Sequence, residues 1–159
     1  MTFRYLFAFI LVVLLSGCLP GPQRMYGGPQ LDPTKESTIR SATDDTVRFQ
    51  RHLVIMSIDG ENTLNFLKSM FYWPVTEIKV IPGKHDIRFK YKMEFGVSIA
   101  ELWVVTCPGK SYFAKAVAAG AGSLIWIEDE ETGKRVGGIK GSVDEPKDKN
   151  VPCDGEKRL

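Results

Sequence analysis

Glu77-Ile78-Lys79-Val80-Ile81-Pro82-Gly83-Lys84-His85-Asp86-Ile87-Arg88-Phe89-Lys90-Tyr91-Lys92-Met93 is the stretch whose reading decides the fold. From Asp86 to Met93 charged and apolar residues alternate without a break. Ile87, Phe89, Tyr91 and Met93 fall on one face, and Asp86, Arg88, Lys90 and Lys92 on the other. Successive side chains of a strand point to opposite faces, so the pattern predicts a strand buried on one side only. Glu77 to Val80 alternates too. Between the two lies Pro82-Gly83-Lys84, where proline presets φ for a turn and glycine accepts a positive φ. The pair predicts a β-hairpin.

Outward from it, short strands follow one another at turn spacing. Leu53 to Ile58 is an apolar run ending in Asp59-Gly60, a buried strand entering a turn. Ile99 to Val105 is closed by Pro108-Gly109, and Tyr112 to Val117 leads to the small-residue connection Ala119-Gly120-Ala121-Gly122. Leu124 to Ile127 is followed by Thr132-Gly133 and then by Arg135 to Ile139, and an earlier strand is expected at 38–42 or 46–49. Only 62–70, with Leu64, Phe66, Leu67 and Met70, has a helical spacing. About seven short strands with turns between them predict an all-β fold, a small β-sandwich over residues 37–140.

The flanks differ in composition. Residues 18–36 hold Pro20, Pro22, Pro29 and Pro33 with three glycines, and 141–159 is dominated by charge. Such segments bury too little apolar surface to offset the entropy of ordering, so they are expected as a flexible tether and a solvated tail. The first 17 residues are different again: Arg4 is their only charge, Tyr5 to Leu15 is an apolar run, and Ser16-Gly17 precede Cys18. A positive start, a short apolar run and small residues at a cleavage point form an export signal. The run is short of the ~20 apolar residues that a membrane-crossing helix needs.

Leu15-Ser16-Gly17-Cys18 resembles the bacterial lipobox. The resemblance implies cleavage between Gly17 and Cys18, a diacylglyceryl group on the Cys18 sulfur and an acyl chain, such as palmitate, on the new amino group. Two or more chains hold a protein stably on a membrane, where one holds it only marginally. In the sorting rule of such lipoproteins, a residue other than Asp after the cysteine, here Leu19, implies the periplasmic side of the outer membrane. Within the folded part, Ser57-Ile58-Asp59-Gly60 and Val80-Ile81-Pro82-Gly83-Lys84-His85 resemble the pattern of PEGA-like surface domains. Trp126-Ile127-Glu128-Asp129 with Thr132-Gly133 is similar to proteobacterial envelope lipoproteins of the same layout. The chain departs from the compact pattern by placing Glu61 to Pro74 between the two pieces. The resemblance implies a small sandwich that binds or spaces, with no catalytic motif to carry over.

The chemistry-bearing residues are few. Once Arg4 leaves with the signal, 20 Lys and Arg face 19 Asp and Glu, without the clustered excess of cations that a nucleic-acid surface requires. His52 and His85 are the only histidines, and no Cys/His spacing suits a metal. A hydrolase would draw on one of them with Ser98, Ser111 or Ser123, but no nucleophile-turn motif surrounds these serines. The acidic run Glu128 to Glu131 lacks the spacing and glycine of a calcium loop, and Gly120-Ala121-Gly122 lacks a phosphate-loop pattern, so no cofactor is expected. Cys107 and Cys153 remain after lipidation and, outside the cytoplasm, form a candidate disulfide. Phe71-Tyr72-Trp73 before Pro74 cannot all face one side of a strand, which makes them the candidate contact for an envelope protein or a glycan. The leading expectation is therefore a non-enzymatic, membrane-anchored binding or spacer module. An accessory subunit of an envelope assembly is the alternative, with an envelope hydrolase behind it.

Overall fold

The computed structural model of the chain describes residues 23–27, 29–41, 43–44, 51–63, 75–93, 96–120, 122–149, 151 and 153. Among them there are only strands, turns and connections, arranged as two sheets. The first sheet contains β1 (Gln23–Arg24), β2 (Ser37–Ser41), β6 (Glu77–Val80), β9 (Ser111–Ala119), β10 (Gly122–Asp129) and β11 (Arg135–Val136), in the order β1-β6-β2-β9-β10-β11. The second contains β3 (Thr43–Asp44), β4 (Arg51–Ile58), β7 (Gly83–Met93), β8 (Gly96–Thr106) and β12 (Gly138–Ile139), in the order β12-β8-β7-β4-β3, with β5 (Glu61–Asn62) folded back on β4. Seven of these strands are four residues or longer, and the all-β sandwich expected from alternation is the fold observed. The helical spacing at 62–70 falls on β5 at Asn62 and on the bend at Thr63, and from 64 on outside the described residues.

The strands around Pro82-Gly83 form as expected, but they do not pair with each other. β6 hydrogen-bonds to β2 in one sheet, and β7 pairs with β4 and β8 in the other. The Ile81-Pro82 link is a corner that carries the chain across the core, and Gly83 leaves it at φ 146°. The physical reason is that Ile78 and Val80 are buried on β6, just as Ile87, Phe89 and Tyr91 are on β7. Two strands with one apolar face each can share a core by stacking in opposite sheets as well as by pairing in one. Local alternation does not distinguish the two arrangements.

Two more corners follow the same logic. Cys107-Pro108-Gly109-Lys110 takes the chain from β8 back to β9, with Gly109 at φ 72°. Arg135 to Ile139, read from sequence as one strand, is divided at Gly137. Arg135 and Val136 pair with β10 in the first sheet, and Gly138 and Ile139 with β8 in the second. Gly137 has φ 74°, and a Cβ there would lie 2.0 Å from the Trp103 carbonyl oxygen, so only glycine fits this crossing.

The core lies between the sheets. Ile39, Ile78, Tyr112 and Ile127 from one meet Leu53, Ile87, Phe89 and Val104 from the other. β4 breaks strict alternation: its register shifts between Ile55 and Ser57, and Leu53, Ile55 and Ile58 are all buried. A bulge turns the strand so that Ile58 still points inward. Buried Thr63 occupies the irregularity, its hydroxyl donating to the Ile55 carbonyl at 2.5 Å.

The two flanks are ordered against this frame. β1, inside the expected tether, pairs in parallel with β6. Lys79 beside it reaches the buried carboxylate of Glu36 at 2.8 Å, and Glu36 also accepts from the Tyr26 hydroxyl. At the other terminus, Trp103 Nε1 donates to Ser142 Oγ at 3.2 Å, and the Lys140 amide to the Glu101 carbonyl at 3.0 Å. Lys84 pairs with Glu145, and its amide donates to the Lys149 carbonyl at 3.1 Å. Within the stretch expected as a solvated tail, 141–149 form a strap across the second sheet. Glu145 is the acid that the strap gives to the sheet.

Phe89 is fully buried and its neighbour Lys90 exposed. Phe89→Ala should cost about 3–5 kcal/mol of unfolding free energy, whereas Lys90→Ala should change it by no more than ~0.5 kcal/mol. Urea unfolding of the two variants checks the facing of β7, and equal losses would contradict it.

Candidate functional site

The strongest polar constellation joins the two quoted turns. Asp59 ends β4 in the left-handed region at φ 51°, a conformation that Asp tolerates better than most residues. From there its carboxylate accepts from His85 Nδ1 at 2.7 Å and from the Asp86 amide at 2.9 Å. The other ring nitrogen, Nε2, lies 2.6 Å from the Ile81 carbonyl. A carboxylate and a carbonyl only accept, so each ring nitrogen serves its contact as a donor. Burial works against the Asp59 charge, but the His85 and Asp86 hydrogen bonds outweigh it and hold the carboxyl below the usual carboxylate range.

This is an Asp–His pair without the third member that hydrolysis needs. In a catalytic triad the second imidazole nitrogen faces a hydroxyl. Here it faces a backbone carbonyl of the adjoining corner, and His85 has no nitrogen left for Ser98, Ser111 or Ser123. Ser98 and Ser123 are paired with Tyr91 and Ala118 near the hairpin ends of their strands, away from His85, and Ser111 opens β9. The arrangement clamps the end of β4 to the corner before β7, which is a structural task.

The acidic run is likewise committed residue by residue. Glu128 accepts from Lys115 Nζ at 2.5 Å and from Trp126 Nε1 at 2.6 Å, and Arg135 stacks over the Trp126 ring at 4.6 Å. Buried Asp129 accepts from the Glu131 and Thr132 amides and pairs with Lys110 at 3.2 Å. Burial raises its pKa, the Thr132 and Lys110 bonds lower it further, and the net shift is downward. Glu130 pairs with Arg40 at 3.3 Å. An open cavity of ≈ 290 Å³ lies beside this turn, lined by Gly109, Lys110, Ser111 and the acids, with Lys110 already bound to one wall. No grouping of three or more His, Cys, Asp or Glu suited to a metal ion occurs among the described residues.

The remaining sequence candidates divide in two. Gly17, Cys18 and Leu19, and the aromatic run Phe71, Tyr72 and Trp73, lie outside the described residues. Cys107 and Cys153 are brought together by the strap. The Cys107 thiol donates to the Cys153 carbonyl at 3.7 Å, and the Cys153 thiol to the Thr106 carbonyl at 3.6 Å, with no bond between the sulfurs. Sequence reading missed the Asp59–His85 clamp, although Asp-Gly and Pro-Gly-x-His were both in view. The contact depends on a corner between sheets, which alternation does not reveal.

No protein-family model matches this chain, and no curated protein or solved structure does either.

Asp59→Asn keeps a residue suited to the left-handed turn while removing the charge. A depressed folded pKa means that the Asp59 contribution is complete above the unfolded value of about 3.9 and is lost as the pH falls through the lower folded value. The side chain is 35% exposed and so screened by water, which sets the expected loss for Asp59→Asn at about 1 kcal/mol above pH ~5. Urea unfolding from pH ~6 down to ~2 should show the difference from the parent shrinking toward acid. A difference that stayed constant would remove the charge from the account.

Proposed function

We propose that this chain is an exported lipoprotein whose β-sandwich, held to a membrane through lipid on Cys18, serves as a non-enzymatic binding or spacer module of the cell envelope. One observation carries the reading: the lipobox residues Leu15-Ser16-Gly17-Cys18 directly follow an apolar run of export length. Leu19 favours the periplasmic face of the outer membrane. The sandwich supports the modular part, because its most catalytic-looking pair, Asp59 and His85, is tied up in holding two turns together. That same contact joins the two sequence pieces on which the PEGA-like resemblance rests, and so supports it as well.

The compartment bears on the cysteines. The strap seats Cys153 against the corner that holds Cys107, so little motion separates the two thiols from a bond. In an oxidising envelope, exchange with an incoming disulfide joins the two sulfurs and releases two reduced thiols from the oxidant. Closing that loop stabilises the fold by about 4 kcal/mol in the chain-entropy account, and secures the strap.

Two measurements test these statements. Cys18→Ser should abolish incorporation of labelled palmitate and leave a precursor of unprocessed mass. A variant that matures at the same site would refute the anchor. Alkylation of protein taken from the envelope, denatured without reductant, should leave Cys107 and Cys153 unmodified until reductant is added. Immediate alkylation of both would refute the disulfide.

A further inference from the structure

The strands give the sandwich two unlike ends. At one lie the corners, Ile81–Gly83 and Cys107–Lys110. At the other lie the tips of two hairpins, where Met93 pairs with Gly96 and Ala119 with Gly122. Seven large apolar side chains are exposed among the described residues, and four of them sit near the tips: Val97 (52%), Ile99 (51%), Val117 (43%) and Leu124 (60%). Val97 and Ile99 face outward opposite Lys92 and Lys90, and Val117 faces outward opposite Leu124. Lys90 and Lys92 are exposed, and neither forms an ion pair among the described residues. The other lysines of the second sheet's outer face, Lys84 and Lys140, are both paired. Exposed apolar side chains with two lysines beside them that form no ion pair among the described residues suit a surface that is greasy below and anionic above.

The entry of the chain points the same way. β1 runs parallel to β6, and β6 runs toward the corners, so the chain reaches Gln23 from the tip side. Gln23 is level with Ile78, Ile39 and Tyr112 across the first sheet. Cys18 is five residue steps from Gln23, a reach of at most about 17 Å, or five rungs of a strand. Five rungs beyond Tyr112 is Val117, opposite Leu124. Fully stretched, the anchor rises only to the level of these exposed side chains. A sandwich standing over its anchor therefore cannot hold its tips clear of the bilayer.

We infer that the tip end is a second membrane contact, in which Val97, Ile99, Val117 and Leu124 enter the interface of the bilayer that holds Cys18, and Lys90 and Lys92 meet its anionic headgroups. The inference rests on the lipoprotein reading of the preceding section and adds an orientation to it. The lipid and the tips then hold the module upright, with the corners and the C-terminal strap facing away from the membrane.

Hydroxyl-radical labelling reads all seven exposed aliphatic side chains at once. The full chain, recovered with its lipid, is placed in vesicles of phosphatidylglycerol and phosphatidylethanolamine. Val97, Ile99, Val117 and Leu124 should then be oxidised about fivefold less, relative to their exposure, than Ile81, Ile139 and Val143 in the same molecules. Lys90→Glu combined with Lys92→Glu should raise labelling of the four toward that of the three, and no change would overturn the headgroup contact. Equal labelling of the two groups in the parent would overturn the docking. Protection found in whole envelopes but absent from vesicles would overturn it too, assigning the tips to a protein. The mass of the Cys18 peptide in the same digest separates the two readings. An unmodified Cys18 refutes the anchor, whereas a lipidated Cys18 with equal labelling refutes only the orientation.

Discussion

Ile87, Phe89 and Tyr91 stand on alternate positions of β7, and covering that apolar row is the requirement from which the rest of the architecture follows. The opposite face carries Arg88, Lys90 and Lys92, so the sheet cannot be buried on both sides. Each charge taken from water would cost far more than the apolar side chains return. A single second layer satisfies both faces, and the first sheet supplies it with Ile39, Ile78, Tyr112 and Ile127. The chain must then pass between the two layers as well as pair within them, as it does at Ile81-Pro82, at Cys107–Lys110 and at Gly137.

Those crossings concentrate the polar chemistry at one end. The Asp59–His85 clamp secures the first, where the backbone leaves regular pairing and the Ile81 carbonyl needs a donor. At the second, the Cys107 amide donates to the Tyr112 hydroxyl at 2.8 Å and the Cys107 carbonyl accepts from Ser37 Oγ at 2.7 Å. The third places Gly138 against the Trp103 ring and launches the strap that returns to the cysteines. Toward the far end, Met93 pairs with Gly96 and Ala119 with Gly122, and Val97, Ile99, Val117 and Leu124 are exposed. The corners thus knit one end of the sandwich, and β1 runs toward that end.

The ion pairs play a smaller part than their number suggests. Arg88–Glu101 and Lys140–Glu101, both at 3.7 Å between half-exposed side chains, are worth little in water. Lys79–Glu36 and Lys84–Glu145 are more enclosed, and both tie a flanking segment to the sandwich. Their role is to choose where the flanks lie, on a core that apolar burial has already stabilised.

The sequence by itself determined the longer strands, the outward face of β7 and the all-β class, and it carries the pattern read as an export signal. These are local properties: alternation has a period of two, turns need particular φ values, and an apolar run has a length. The same alternation continued backward from Leu102 and Val104 would have placed Val97 and Ile99 in the outward row of β8. The composition of 18–36 and 141–159 argued for disorder because composition counts apolar surface and cannot see a ready-made sheet edge or a Trp103 waiting for a cover. Only the tertiary structure decided which strands pair, that a Pro-Gly turn is a corner and not a hairpin, and that Arg135 to Ile139 serves two sheets. Only it could bring Asp59 to His85 and Cys153 to Cys107. Each of these joins residues far apart in the chain, and the energy that selects them, burial between two sheets, belongs to no single segment.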